Sequence, residues 1–169
     1  INPAVPNDHL DNSRRWGFGS TPPVWRIANG TASTIINGHN NGATREEYEV
    51  NHRAFHGKSV WWYFEWPEDM DPIHEVSLEA TTKGSTFDTT LAVMRVNVGN
   101  DPTQNSSQFR WNNNAVGGGG PFSTVEVVGP IGLVPGTKIY FMVDGVGASS
   151  GKIRLDVKFT GKPIPNPNP

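Results

Sequence analysis

The dominant period along this chain is two. Residues 152–159, Lys-Ile-Arg-Leu-Asp-Val-Lys-Phe, alternate without a break. Ile153, Leu155, Val157 and Phe159 share one parity; Lys152, Arg154, Asp156 and Lys158 share the other. Successive strand side chains point to opposite sides, so this run predicts a strand with one buried and one wet face. Residues 138–144 repeat the pattern with Ile139, Phe141 and Val143 inward. Val125 and Val127 predict a strand over 123–128, and Val76, Leu78 and Ala80 predict one over 73–81. A longer strand over 87–96 puts Leu91 and Val93 on the core side. Residues 107–111 and 24–28 carry weaker versions of the pattern.

Turn chemistry separates these runs: Lys83-Gly84-Ser85, Val98-Gly99-Asn100-Asp101-Pro102, Pro135-Gly136 and Asp144-Gly145. Gly117 to Gly120 form an uninterrupted glycine run that marks a flexible loop. No stretch of ten or more residues has a helical period, although 44–50 has room for one turn, and no internal repeat is visible. Many short strands with turns between them predict an all-β sandwich or barrel.

The most informative run is Lys58-Ser59-Val60-Trp61-Trp62-Tyr63-Phe64-Glu65-Trp66-Pro67. Alternation puts Val60, Trp62, Phe64 and Trp66 on one face, and Ser59, Trp61, Tyr63 and Glu65 on the other. Aromatic residues on both faces predict a central strand covered, at least in part, on both sides. The two ends differ from everything between. Residues 1–6 have no periodicity, and 162–169 alternate proline with other residues, which favours an extended spacer. Residues 7–161 therefore read as one module between two linkers, as expected for a piece of a longer multidomain protein.

Composition narrows the function classes. The chain has 169 residues, of which 19 are Gly and 14 Pro. That combined share stays below the roughly 25–30% of low-complexity chains, and the length suits a single domain with a real core. A net charge of −2 excludes a broad basic field, so no nucleic-acid partner is expected. No apolar run approaches the ~20 residues of a membrane helix, so no membrane insertion is expected. Without cysteine there is no disulfide, thiol nucleophile or cysteine metal site. That absence fits a bacterial extracellular protein. No signal peptide is visible after Ile1.

Three motifs in order carry a family resemblance. They are Gly57-Lys58-Ser59-Val60-Trp61-Trp62-Tyr63-Phe64, then Gly84-Ser85-Thr86-Phe87-Asp88-Thr89-Thr90-Leu91-Ala92-Val93, then Tyr140-Phe141-Met142-Val143-Asp144-Gly145. With Asn7-Asp8 and the stretch from Asn41 to His52, they resemble the bacterial pre-peptidase C-terminal domain family from Asn7 to about Phe159. The resemblance implies an antiparallel two-sheet, jelly-roll-like β-sandwich of about eight strands with little or no helix. It also implies a non-catalytic module appended to secreted hydrolases, similar at fold level to collagen- and carbohydrate-binding modules. One departure matters. Where many members carry an Asn-Asp-Asp-type turn, this chain has Trp111-Asn112-Asn113-Asn114-Ala115, which puts any ion site at that turn in question.

Catalytic signatures are weak. No histidine accompanies a Gly-x-Ser-x-Gly elbow. The carboxylates Glu46, Glu47, Glu49, Asp69 and Asp71 sit in loop-like stretches and read as solvated surface rather than a glycosidase pair. Glu49, His52 and His56 have a metal-ligand spacing, but the helix that gives such a spacing its force is missing. No cofactor is required. A structural calcium has oxygen donors available in Asp8, Glu46, Glu49, Asp69, Asp71, Asp101 and Asp144, with no Asp-x-Asp-x-Asp-Gly loop to fix a site. Asp88 and Asp144 read first as turn or strand-end hydrogen-bonders.

The aromatics are the remaining candidates. Six tryptophans are many for this length. Trp62 and Phe64 read as core. Trp16, Trp25 and Trp111 lie among Gly, Asn and Arg, where an exposed ring can stack on the apolar face of a sugar while neighbours supply hydrogen bonds. Trp61 and Tyr63 are the reserve candidates, if the second face of their strand is open. The expected function is a secreted, monomeric binding module that holds a parent enzyme on an insoluble polymer. Polysaccharide comes first and protein fibre such as collagen second. A structural, secretion or processing domain of a peptidase is the alternative.

Overall fold

The computed structural model describes residues 14–15, 30–44, 57–65, 73–100, 106–113, 120–129 and 134–163. Nine strands run in the order β1 Arg14–Arg15, β2 Gly30–His39, β3 Val60–Glu65, β4 Ile73–Thr81, β5 Thr89–Val96, β6 Ser106–Asn112, β7 Thr124–Gly129, β8 Lys138–Gly145 and β9 Lys152–Pro163. Without the two-residue β1, their number among the described residues is the eight expected, although one of them, β2, is not a strand that the sequence marks. The one helical piece among the described residues is a three-residue 3-10 turn, Val146–Ala148.

The strands form a two-sheet β-sandwich. One sheet has the order β1-β3-β8-β5-β6, the other β2-β9-β4-β7. All pairings are antiparallel except the short parallel bridge of β1 to β3. Along the chain, successive strands alternate between the sheets at every step but one, the β5–β6 hairpin. A strand so placed must bury one face against the other sheet, which is why a period of two dominates the sequence.

The core between the sheets holds Trp62, Phe64, Leu78, Leu91, Val93, Phe141, Val143, Leu155 and Val157, with Val127 packed partly buried against it. Across the gap, Phe64 and Phe159 meet with ring centroids 5.7 Å apart. Strand β9 extends through Lys162 and Pro163, whose backbones pair with Glu75 and Ile73 of β4. It thus runs two residues into the segment read as a linker. The weak pattern at 24–28, the single turn at 44–50 beyond Thr44, and Trp66 lie outside the described residues.

Strand β2 has no counterpart among the expected elements. Its inward residues are Thr34, Ile36 and Gly38, and only Ile36 among them is a buried hydrophobe. At Gly38 the core volume comes from another strand. A Cβ there would stand 2.9 Å from the six-membered ring of Trp62. Ile35, the other large apolar residue, points outward and is 50% exposed.

The five-stranded sheet is buried on both sides. Its outer face carries a second apolar cluster of Trp61, Ala92, Met94, Val96, Tyr140 and Met142, with half-buried Tyr63 packed against it. Strands β5 and β8 are consequently buried at nearly every position. Trp61 is wholly inaccessible. Its candidacy as a ligand-stacking ring required an open second face, and the structure closes that face over it.

Candidate functional site

Cross-strand register lines up the candidate aromatics. On the outer face of the five-stranded sheet, Trp61 lies opposite Met142, Met142 opposite Ala92, and Ala92 opposite Trp111. The row starts in a sealed cluster and ends on the edge strand β6, where Trp111 is 39% exposed. An edge position leaves one flank of a side chain without a neighbouring strand, and this keeps part of the ring accessible.

The surroundings of Trp111 only partly match expectation. Arg110, next in sequence, is exposed but pairs with Val93 and so belongs to the opposite parity of β6. Asn112 is not a free rim group, because its Nδ2 donates to the Thr124 carbonyl at 2.9 Å and ties β6 to β7 across the two sheets. Tyr63 is already engaged: its ring stacks on Tyr140 at 5.3 Å, and Lys138 Nζ lies 5.4 Å from its centroid. A cation over a ring face and a stacked neighbour both occupy the surface a sugar would use. Trp16 and Trp25 lie outside the described residues. Of the three candidate rings among the described residues, Trp61, Tyr63 and Trp111, it is Trp111 that is exposed at the surface.

The four-stranded sheet presents a different outer face, polar and open. A groove of about 450 Å³ runs over it, lined among others by Ser33, Ile35, Glu79, Thr81, Asp156 and Lys158. Asp156 is partly committed there, since Arg154 Nε and Nη2 donate to its two oxygens at 3.0 and 3.3 Å. The alternation of Lys152, Arg154, Asp156 and Lys158 marks a wet face but not the groove, whose far wall is β2, a strand without an alternating signature.

The three motifs behind the family resemblance meet at one end of the five-stranded sheet. Asp144 accepts from the backbone amides of Gly57, Lys58 and Gly145. The carboxylate thus holds the chain entering β3 against the end of β8, the strand-end role expected of it. Gly145 must be glycine, for a Cβ there would fall 1.9 Å from the Ser149 carbonyl oxygen. Asn40, fully buried at the end of β2, donates from Nδ2 to the Lys58 and Ser149 carbonyls and accepts at Oδ1 from the Gly151 amide. At the start of β5, Thr82 Oγ1 bonds Thr89 Oγ1 and accepts from the Ser123 amide, and Ser123 Oγ donates to the Thr89 carbonyl. Asp144, Asn40, Thr82 and Ser123 are polar because each satisfies backbone groups outside the strand ladders.

Asp88 behaves differently from Asp144. Its carbonyl accepts from the Val146 amide and from Ser149 Oγ. Its side-chain Oδ1, however, is buried without a hydrogen-bond partner, as are Thr90 Oγ1 and Asn113 Oδ1. A buried oxygen left unpaired costs about 1–3 kcal/mol. Three in one neighbourhood are therefore a notable concentration.

Among the described residues, no three His, Cys, Asp or Glu side chains come together as a metal site. Glu46, Glu47, Glu49, His52, His56, Asp69, Asp71, Asp8 and Asp101 lie outside those residues. No described helix is long and apolar enough to cross a membrane. No protein-family model matches the chain, and no curated protein matches it significantly.

Proposed function

We propose that this chain is a non-catalytic, extracellular binding module that holds a secreted multidomain enzyme on an insoluble polymer, with polysaccharide the preferred partner. The observation that carries the reading is Trp111, 39% exposed on an edge strand. A neutral sugar needs a flat apolar surface and a few hydrogen-bonding neighbours, and it makes no demand on net charge. Tethering of this kind raises local substrate concentration with no chemistry of its own. The motif resemblance to the pre-peptidase C-terminal domain family supports the same reading, including secretion and attachment to parent domains through linkers.

The test is affinity electrophoresis of the purified chain and of Trp111→Ala on a panel of polysaccharides, with collagen pull-down in parallel. Loss of a stacking ring weakens binding about five- to two-hundred-fold, by analogy with base–aromatic stacking. A glycan bound equally well by the folded variant removes Trp111 from the site.

One observation favours the alternative, a structural or processing domain of a secreted peptidase. Trp61 is sealed and Tyr63 engaged, so the described part of the sheet offers one ring where an extended polymer is best held by several. Absence of binding to every glycan and to collagen would make this the better account.

A further inference from the structure

The geometry points to a calcium site at the end of the five-stranded sheet where Asp88, Thr90 and Asn113 come together. Register establishes the juxtaposition. Thr90 of β5 stands opposite Asp144 of β8, and the β5–β6 pairing of Leu91 with Asn112 brings Asn113 alongside Thr90 on the other flank. The Asp88 carbonyl accepts from the Val146 amide, which continues the β5–β8 pairing two residues beyond Thr90. Alternation therefore carries Asp88 and Thr90 to the same face of the sheet.

Among the described residues, three of the four buried polar side-chain atoms without a hydrogen-bond partner belong to these three residues, and all three are oxygens. Thr90 is only 1% exposed, so its hydroxyl cannot turn to bulk solvent. Asp88 and Asn113 are half-buried, which leaves the cluster a way to the surface. The fourth such atom, Arg95 Nε, is a donor, and Arg95 has other interactions.

The donor set selects the ion. A carboxylate, a hydroxyl and an amide oxygen, with no nitrogen or sulfur ligand, suit a hard cation. Calcium accepts such a mixture of charged and neutral oxygens in flexible geometry and completes six to eight positions with water and carbonyl groups. Magnesium demands a stricter octahedron and keeps its water more firmly. Asp144 sits next in the row with its carboxylate turned to three backbone amides. It contributes neighbouring negative charge and anchors the loop rather than acting as a main ligand. The ion would hold the β6 end against β5, close to Trp111.

The experiment is thermal unfolding of the chain in EDTA, in calcium and in magnesium, with calcium binding followed by titration calorimetry. Saturating calcium is expected to raise the melting temperature by roughly 5 °C or more, and equal magnesium by clearly less. Asp88→Asn is expected to abolish the calcium-dependent rise. Thr90→Val keeps the shape and removes the oxygen. It is expected to weaken calcium binding about tenfold or more while melting in EDTA no lower than the parent, because an unpaired buried hydroxyl is gone. The Thr90→Val comparison stands even if Asp88→Asn fails to fold. The inference is overturned if the parent shows no calcium-dependent shift, in which case water satisfies these oxygens. It is equally overturned if the folded variants keep the parent's shift and affinity, which would put calcium elsewhere.

Discussion

On the outer side of the five-stranded sheet, Trp61, Met94, Tyr140 and Met142 are each at most 3% exposed. On the outer side of the four-stranded sheet, Ile35 is 50% exposed, and its neighbours in register are Asp156 and then Thr81. Both sheets pack the same core with their inner faces, so the contrast lies entirely in the residues of the other parity. In β9 these are Lys152, Arg154, Asp156 and Lys158; in β5 and β8 they are Ala92, Met94, Tyr140 and Met142. A strand that alternates apolar with charged residues can leave one face in water, and a strand that is apolar at both parities cannot. Among the described residues, aromatics on the closed side are therefore structural, and the surface left for ligand contacts is its rim or the open side.

The largest effect that can break this contrast is at Trp61. Trp61→Ala empties a fully buried position and should cost about 3–5 kcal/mol in urea unfolding. A loss below about 1 kcal/mol, with unchanged m-value, would mean that the closed face is not a second core and would return Trp61 to the candidate ligand contacts.

Next in size is Gly38→Ala. The added methyl would meet the buried Trp62 ring at 2.9 Å. The ring is held in the core and has little freedom to retreat, so overpacking should cost about 1–3 kcal/mol in a thermal or denaturant melt. A neutral result would show that β2 sits farther from β3 than the sandwich requires.

How much was legible follows from the same two faces. Strands β4, β7 and β9 are legible because charged or polar residues alternate with their apolar positions, and the inward residues Leu78, Val125, Leu155 and Val157 lie in the core. β2 was hidden because a core position can be filled from across the gap: Gly38 looks like a break in the sequence, yet Trp62 occupies its space. Its outward Ile35 further blurred the parity. The closed face was legible in part. Leu91-Ala92-Val93-Met94 and Ile139-Tyr140-Phe141-Met142-Val143 are continuous apolar runs, the signature of two-sided burial. The inward parity of Ile139, Phe141 and Val143 accounts for one face only, and Tyr140 and Met142 on the other parity join Trp61 in the second cluster. Exposure of Trp111 depends on β6 being an edge strand, a property of sheet order that no local pattern encodes.

Trp111 tests the boundary between the two regimes. It shares a row with Trp61 but ends it at the surface. Trp111→Ala should therefore cost about 1 kcal/mol or less, far below Trp61→Ala, while removing glycan affinity if the binding reading holds. A cost near that of Trp61 would make Trp111 part of the closed cluster.

The smallest expected effect is on the open face, and it is informative because it should be small. Ile35→Thr keeps a β-branched side chain, so strand propensity is little changed. The position is half exposed, and its neighbour Asp156 is charged and paired with Arg154. Little apolar surface leaves water here on folding, and the new hydroxyl stays hydrated. The change in unfolding free energy should therefore lie within about 0.5 kcal/mol. The measurement is the urea midpoint at low and high protein concentration, with molecular mass followed by light scattering. A loss above about 1.5 kcal/mol would mean that Ile35 is covered in solution. If that loss came with a fall in mass, a second copy of the chain would be the cover, and the expectation of a monomer would fail. If it came at constant mass, the open face would be closed from within the chain, and the two sheets would not differ in the way their outward residues imply.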